Sequence, residues 1–569
     1  MHLKNSLKQV IISSPITEIE SYVFNGCTSL KQILFCFPES ITKIGSSAFC
    51  DCWSLTELTV LPNITEIEKN AFKGCVSLNK VTIPSSVLKI DDYGFNQCKS
   101  LKQIIIPSSV KEVGANCFED CLALEKVDFE VNSSLTQINQ FTFRRCSSLK
   151  EINIPPSVKQ IEFYAFDSCS SLKHLEIPPS VNVICEYAFN SCLSLESIQF
   201  LSKATLLESL HICDYAFRND KKLSQITMDP SCVECELYSF QHCNSLNLLK
   251  IDSHDERLIF NYEITRAIYD KIKRIVISPN VETITKGALR DFNCLTELVI
   301  PNSVNCIESN SFDSCLSLKK VRIPPVSKFE SYAFNRCKSL EEVAFDYTDS
   351  LNEIGSHAFF KCKSLKKVLL PPCITKICSH CFFACRSLTS IYFDVILRMD
   401  ERNCLEDPFG VFVQSSEPKL VEIEDFAFAG CRSLPIIKIP SSVEVIGKNV
   451  FNDCSSLDAV VVPPNVKVID QGTFKDCKSL SKIQIPSSLI EIKENAFENC
   501  SSLQSKVEIP PNVSFVGDGA FLGCTSLNEI SIPSSLQNIG IDAFPPQSNI
   551  TKYTAWLRIV QDALEINYQ

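Results

Sequence analysis

The chain has 569 residues, 45% of them hydrophobic and 21% charged, with a net charge of −11. That balance excludes a disordered chain, and the negative charge argues against nucleic acid or an anionic membrane surface as partner. Gly (15) and Met (3) are scarce while Cys (31) and Phe (37) are abundant, a skew that a repeat produces and four ordinary domains of roughly 150 residues each do not.

The first twenty residues lack the apolar run and the small-residue cleavage site of a secretory leader. No apolar stretch reaches the roughly 18 residues of a membrane-spanning helix. These signals predict a cytoplasmic protein with no membrane insertion. Leu7, Val10, Ile12 and Ile19 already follow the register of the later coils, with Met1 in the slot that Phe fills elsewhere. The chain therefore opens inside an uncapped coil, which predicts self-association through that edge or a natural product that is longer upstream.

From Phe24 to Phe240, and again from Phe312 to Phe544, a Phe recurs most often every 23 residues. A Leu follows six positions later (Leu30, Leu55, Leu78 and onward to Leu527), and a Cys stands three positions after 18 of these 20 Phe. The unit reads I-P-x-S-V-x-x-I-x-x-x-A-F-x-x-C-x-S-L-x-x-I-x-I-P. Leu-x-x-Ile-x-Ile alternates as a short strand does, and Pro ends it because it lacks an N–H for the ladder. Ser-Val-x-x-Ile is a second short extended piece, and Ala-Phe-x-x-Cys-x-Ser-Leu is the return arc. About seven apolar side chains per coil supply on the order of 10–20 kcal/mol when buried. Ordering the backbone costs about 1–2 kcal/mol per residue. A lone coil is therefore unstable and only stacking rescues it.

The array is predicted to run over 1–251, 273–393 and 421–548. A degenerate repeat with an insertion fills 252–272, where Arg266 takes the Phe slot and Ile264, Ile268 and Ile272 have helical spacing. Leu289 replaces Phe in the next unit. Residues 394–420, with Phe409 and Phe412 beside Asp407 and Glu417, form an irregular insertion or a decayed repeat, and long loops of this kind are often functional. Residues 549–569 are expected to be a cap helix, with Trp556, Val560, Ala563 and Leu564 on one face.

The motif resembles the BspA-like leucine-rich repeats of bacterial and protist surface antigens. The resemblance covers residues 1 to about 550. It implies a right-handed, curved, β-rich leucine-rich-repeat solenoid of about 23 coils that binds proteins, with adhesion to a host matrix or cell-surface protein in some members. Leaderless display at the cell surface is what the resemblance implies for location, and an intracellular interaction scaffold of the same fold is the alternative.

The repeated Cys read as a buried ladder of free thiols rather than disulfides, because in-register stacking sets their Cβ vectors parallel. The run Cys373, Cys378, Cys381, Cys385 has metal-like spacing, but the repeat frame aims its members apart. Cys232 and Cys235 are a lone C-x-x-C inside the same frame. His174, His211, His242, His357 and His380 scatter among slots, and no nucleophile or phosphate-loop motif occurs. No enzyme activity, metal or cofactor is expected. The candidate partner-binding residues are the charged ladder Lys319, Lys320, Arg322, Glu341, Glu342, Lys366 and Lys367, together with Phe409 and Phe412. Cross-strand ion pairing is the simpler reading of the charged group.

Overall fold

The structure is a computed structural model that describes residues 6–59, 61–202, 209–253, 255–260, 266–346, 348–393, 395–397, 412–415 and 417–553. It divides into two compact units. One comprises residues 1–254 and 260–278, the other residues 255–259 and 279–569. Each unit is a parallel β-solenoid, and the two contain about 22 turns between them. The coil with Met1 in its Phe slot begins outside the described residues.

Each coil contributes to two parallel sheets. In the first unit, His174–Ile177, Ser197–Phe200, Gln225–Met228, Leu248–Ile251 and Arg274–Val276 follow one another in one sheet. Gln137–Ile138, Gln160–Ile161, Val183–Ile184, Leu210–Ile212 and Val233–Cys235 form a second sheet of much shorter strands. The second unit repeats the plan: Lys320–Ile323, Glu342–Phe345, Lys367–Leu369 and Ser390–Tyr392 on one face, Glu353–Ile354, Lys376–Ile377, Glu422–Ile423 and Val445–Ile446 on the other. Alternation aims Leu175 and Ile177 inward and leaves His174 and Glu176 outside.

The return arc has a backbone rule that the motif string conceals. The residues two before and two after nearly every repeat Phe adopt positive φ, as Ser47 (55°) and Asp51 (58°) do around Phe49, with Tyr238 and Pro546 as exceptions. The left-handed region disfavours most side chains, so Asn, Asp, Ser and Gly recur in these two slots. The turn aims alternate N–H groups at the next coil. Ser47, Phe49 and Asp51 donate to the carbonyls of Lys69, Ala71 and Lys73 at 2.8–2.9 Å. The arc is thus a third hydrogen-bonded ladder, and its bonds offset the strain of its dihedrals.

The Phe rings stack inside the arcs, Phe49 on Phe72 and Phe72 on Phe95 with centroids 5.3 Å apart. The Cys ladder is more than small apolar filling. From Cys52 to Cys524, each described ladder thiol donates to the carbonyl of the preceding coil's Phe, or of Leu289 in the case of Cys315, at 3.0–3.4 Å. No disulfide joins any of the described cysteines. Burial pushes Cys52 up to about 12 and holds Cys75 and Cys98 well above the ordinary thiol range. These thiols are protonated donors, which the hydrogen bond requires.

Three expectations need correction. Arg266 is exposed rather than inward; Ala267 and Ile268 are the buried residues of a helical turn over 266–268. A guanidinium has no partner inside an apolar stack, so the turn rotates it out. The described residues of 394–420 do not form a decayed coil: Val395–Leu397 pairs antiparallel with Phe412–Ser415, while Phe382 stacks directly on Phe428 at 5.3 Å, so these two strands are inserted within one coil. Asn549–Tyr553 begins the expected cap as a strand, parallel to Glu529–Pro533, because Asn-Ile-Thr-Lys-Tyr continues the strand alternation. Trp556, Val560, Ala563 and Leu564 lie outside the described residues.

Candidate functional site

Every inward slot is filled by core, so chemistry and recognition must use the outward slots of the two sheets and the arc. In the second unit the first sheet pairs Lys320 with Glu342 and Lys367 in register. Lys320 Nζ lies 3.1 Å and Lys367 Nζ 3.6 Å from the Glu342 carboxylate, and Lys366 Nζ is 2.7 Å from Glu341. Lys366, through its hydrogen bond and charge, holds Glu341 below the usual carboxylate range. Arg322 turns to Asp346 at 2.5 Å. Lys319 is exposed and accepts the Glu341 N–H through its backbone carbonyl at 2.7 Å. The structure therefore brings Lys320, Glu341, Glu342, Lys366 and Lys367 together as ion pairs, while Arg322 pairs with Asp346 and Lys319 joins through its backbone. Phe412 starts the second strand of the inserted hairpin, and Phe409 lies outside the described residues.

The second sheet carries another ladder. The residue after its inward Ile is often acidic, and where Lys stands before the Ile of the preceding coil the two charges pair. Lys43 meets Glu68 at 2.7 Å, and Lys376 meets Glu424 at 2.5 Å. The acid also accepts a backbone N–H from the coil before: Glu68 from Ser46 at 2.8 Å, Glu330 from Ser309 at 2.9 Å. Gly114 takes this slot where the coils approach too closely for a side chain; a Cβ there would lie 2.4 Å from the Asp92 nitrogen.

The arc carries a ladder that sequence reasoning missed. Phe141, Tyr164, Tyr187, Tyr215 and Tyr238 all stand two residues before the Phe and stack in order, with centroids 4.8–5.6 Å apart. The recurrence of Tyr-Ala-Phe was its visible signal. Arg144 lies over Phe141 and Arg218 over Tyr215. In the second unit Tyr332, His357, His380 and Phe426 fill the same slot and stack. His357 and His380 are therefore not scattered but neighbours 4.6 Å apart, and burial lowers the pKa of both rings.

The cysteine run that resembles a metal motif does diverge. Cys373 donates to Leu351 O at 3.1 Å and Cys385 to Phe359 O at 3.2 Å, while the Cys378 thiol approaches Glu353 on the outer face. Cys235 is an inward core residue, and Cys232 lies beside Ser231 Oγ at 3.4 Å.

A comparison with protein families matches residues 2–125, 121–247, 201–317, 266–389 and 421–551 to the BspA type leucine-rich repeat region. No curated protein matches the chain in sequence. Among solved structures, a leucine-rich repeat protein from Bacteroides ovatus is 23% identical, covering 82% of this chain and 88% of its own, with a TM-score of 0.29. A leucine-rich cell surface protein from Faecalibacterium prausnitzii is 21% identical over 84% and 89%, with a TM-score of 0.27. A leucine-rich repeat protein from T. pallidum is 27% identical over 35% and 77%, with a TM-score of 0.25. With its repeats matched along nearly all of its length, the chain belongs to the BspA-type leucine-rich-repeat family.

Proposed function

We propose that the chain is a non-enzymatic protein-binding solenoid of the surface-antigen type. Its partner, a host matrix or cell-surface protein, is engaged through outward first-sheet positions and the inserted strand pair Val395–Leu397 and Phe412–Ser415. One observation carries this reading: inward slots repeat one residue type from coil to coil, whereas the central outward slot of the first sheet changes. It holds exposed Ile11, Leu34 and Ile105 in the first unit and Val299, Tyr392 and Val461 in the second. An apolar side chain exposed among charged neighbours suits a protein partner's mixed surface. In the charged ladder, Lys319, Lys320, Lys366 and Lys367 supply the positive edge, Glu341 and Glu342 the pairing acids, and Arg322 a fixed cation; Phe409 and Phe412 are the candidate apolar contacts to the partner. The purified chain should bind immobilised matrix protein, and Lys320→Glu with Lys367→Glu should weaken that binding. Intact cells should expose the chain to impermeant label, and complete protection from label would count against adhesion.

The unbridged thiols favour a second reading, an interaction scaffold in a reducing compartment. No helix among the described residues is long and apolar enough to cross a membrane. Thiol titration of the denatured, unreduced protein separates the two settings. Nearly all 31 cysteines should react, and fewer than about ten would overturn the free-thiol ladder on which the scaffold reading depends.

A further inference from the structure

On the second sheet of the first unit, three successive coils bring thiols and an imidazole beside a carboxylate. Cys185 and Cys213 occupy the slot after the inward Ile, Glu236 follows in the next coil, and His211 stands where Lys43 stands earlier. We propose that Cys185, His211, Cys213 and Glu236 bind a zinc ion.

Donor chemistry and geometry carry the assignment. One ligand atom each from His211, Cys213 and Glu236 lie within 4.8 Å of one another. His211 Nε2 and Glu236 Oε1 are 3.2 Å apart. Zinc–ligand bonds of about 2.0–2.3 Å in a tetrahedron place neighbouring ligands about 3.3–3.8 Å apart. The imidazole and carboxylate are thus already at a shared-ion separation, and the Cys213 sulfur, within 4.8 Å of both, closes on the ion by side-chain rotation. Cys185 stands in the Cys213 slot one coil earlier and supplies the fourth ligand by turning toward the group.

The surroundings orient these ligands. The Asp214 N–H holds Glu236 Oε2 at 2.6 Å, which turns Oε1 toward His211 Nε2. Glu234, fixed by Ser209 Oγ at 3.1 Å, lies 3.9 Å from His211 Nδ1. A carboxylate behind the far ring nitrogen is the usual outer partner of a zinc-bound imidazole. Without the ion, Cys185 Sγ accepts from Gln160 Nε2 at 3.6 Å and its thiol donates to Glu162 at 4.0 Å, two contacts to the coil before that it gives up on ligating. On binding, the two thiols release their protons to solvent, and two thiolates, one carboxylate and one neutral imidazole surround Zn2+. The expectation of no metal came from cysteines close in sequence, whereas these four ligands come from three coils and converge only on stacking.

The test uses the full chain, purified under reductant, stripped with chelator and titrated with Co2+ and then Zn2+. Wild type should take up one equivalent of Co2+ with a thiolate-to-metal charge-transfer band and tetrahedral ligand-field bands, and Zn2+ should displace it. Cys213→Ser should weaken binding at least ~100-fold. His211→Lys restores a pair of the Lys43–Glu68 kind, so it should keep the fold by circular dichroism and lose affinity as strongly. Cys378→Ser alters the equivalent slot in the second unit, where Lys376 replaces the imidazole, and should leave binding unchanged. The proposal is overturned by the absence of a thiolate band, by wild-type affinity in His211→Lys, or by a Cys185–Cys213 disulfide in protein isolated without reductant.

Discussion

Two coils break the repeat in opposite ways. Between Phe382 and Phe428 the chain inserts a hairpin, yet Cys431 donates to Phe382 O at 3.3 Å across 49 positions, as Cys454 does to Phe428 O across the usual 26. In the coil of Phe217 the length is nearly normal but Asp220 takes the cysteine slot. The Asp220 carboxylate accepts the Cys192 N–H at 2.8 Å, and its other oxygen is buried with no partner. The hairpin leaves the ladder untouched because loop length enters the free energy only logarithmically. A single buried carboxyl is felt directly, because one of its oxygens has neither solvent nor a partner around it. The solenoid tolerates changes between arcs and resists changes within them.

The largest test of that contrast is Phe166→Ala. Phe166 is fully buried between Phe143 at 5.3 Å and Phe189 at 4.9 Å, and its loss should destabilise by about 3–5 kcal/mol in denaturant unfolding. Asp220→Cys should act in the other direction, stabilising by about 1–3 kcal/mol at neutral pH by restoring the thiol donor and removing an orphaned oxygen. Its pH dependence follows from burial, which raises the Asp220 pKa well above the ordinary value. Such a group gives its full stability below the unfolded pKa and loses it as pH rises through the folded pKa. The gap between Asp220→Cys and wild type should therefore widen from pH 4 to pH 8, and a constant gap would contradict a buried neutral acid.

Replacing residues 398–411 with an Asn-Gly turn should shift the unfolding midpoint by less than about 2 kcal/mol, since Leu397 and Phe412 already pair. A larger loss would mean that the insertion supports its coil. The smallest effect belongs to Glu342→Gln, which unpairs Lys320 and Lys367. It should destabilise by under about 1 kcal/mol, and the difference should shrink at high salt.

Much of this molecule was legible before folding because one residue type fills each inward slot. Leu30, Phe49 and Cys52 announce themselves by period. Arg266 misled because sequence alignment assigns it a slot, while a helical turn of the backbone gives that space to Ile268. The charged ladder was readable because Lys320, Glu342 and Lys367 share a register position. The tyrosine stack was overlooked because its slot tolerates Asn, Ser and Gly elsewhere, for which positive φ rather than packing is the common requirement.

By itself the sequence determined the coil, its period and its inward face, since each depends on residues within one repeat. Only the tertiary structure decided what meets across coils: the thiol-to-carbonyl bonds, the stacked His357 and His380, the hairpin that leaves the array in register, and the Cys185–His211–Cys213–Glu236 group. Those neighbours are some 20 to 50 residues apart along the chain and become adjacent only at the strand spacing of a parallel sheet, about 4.8 Å.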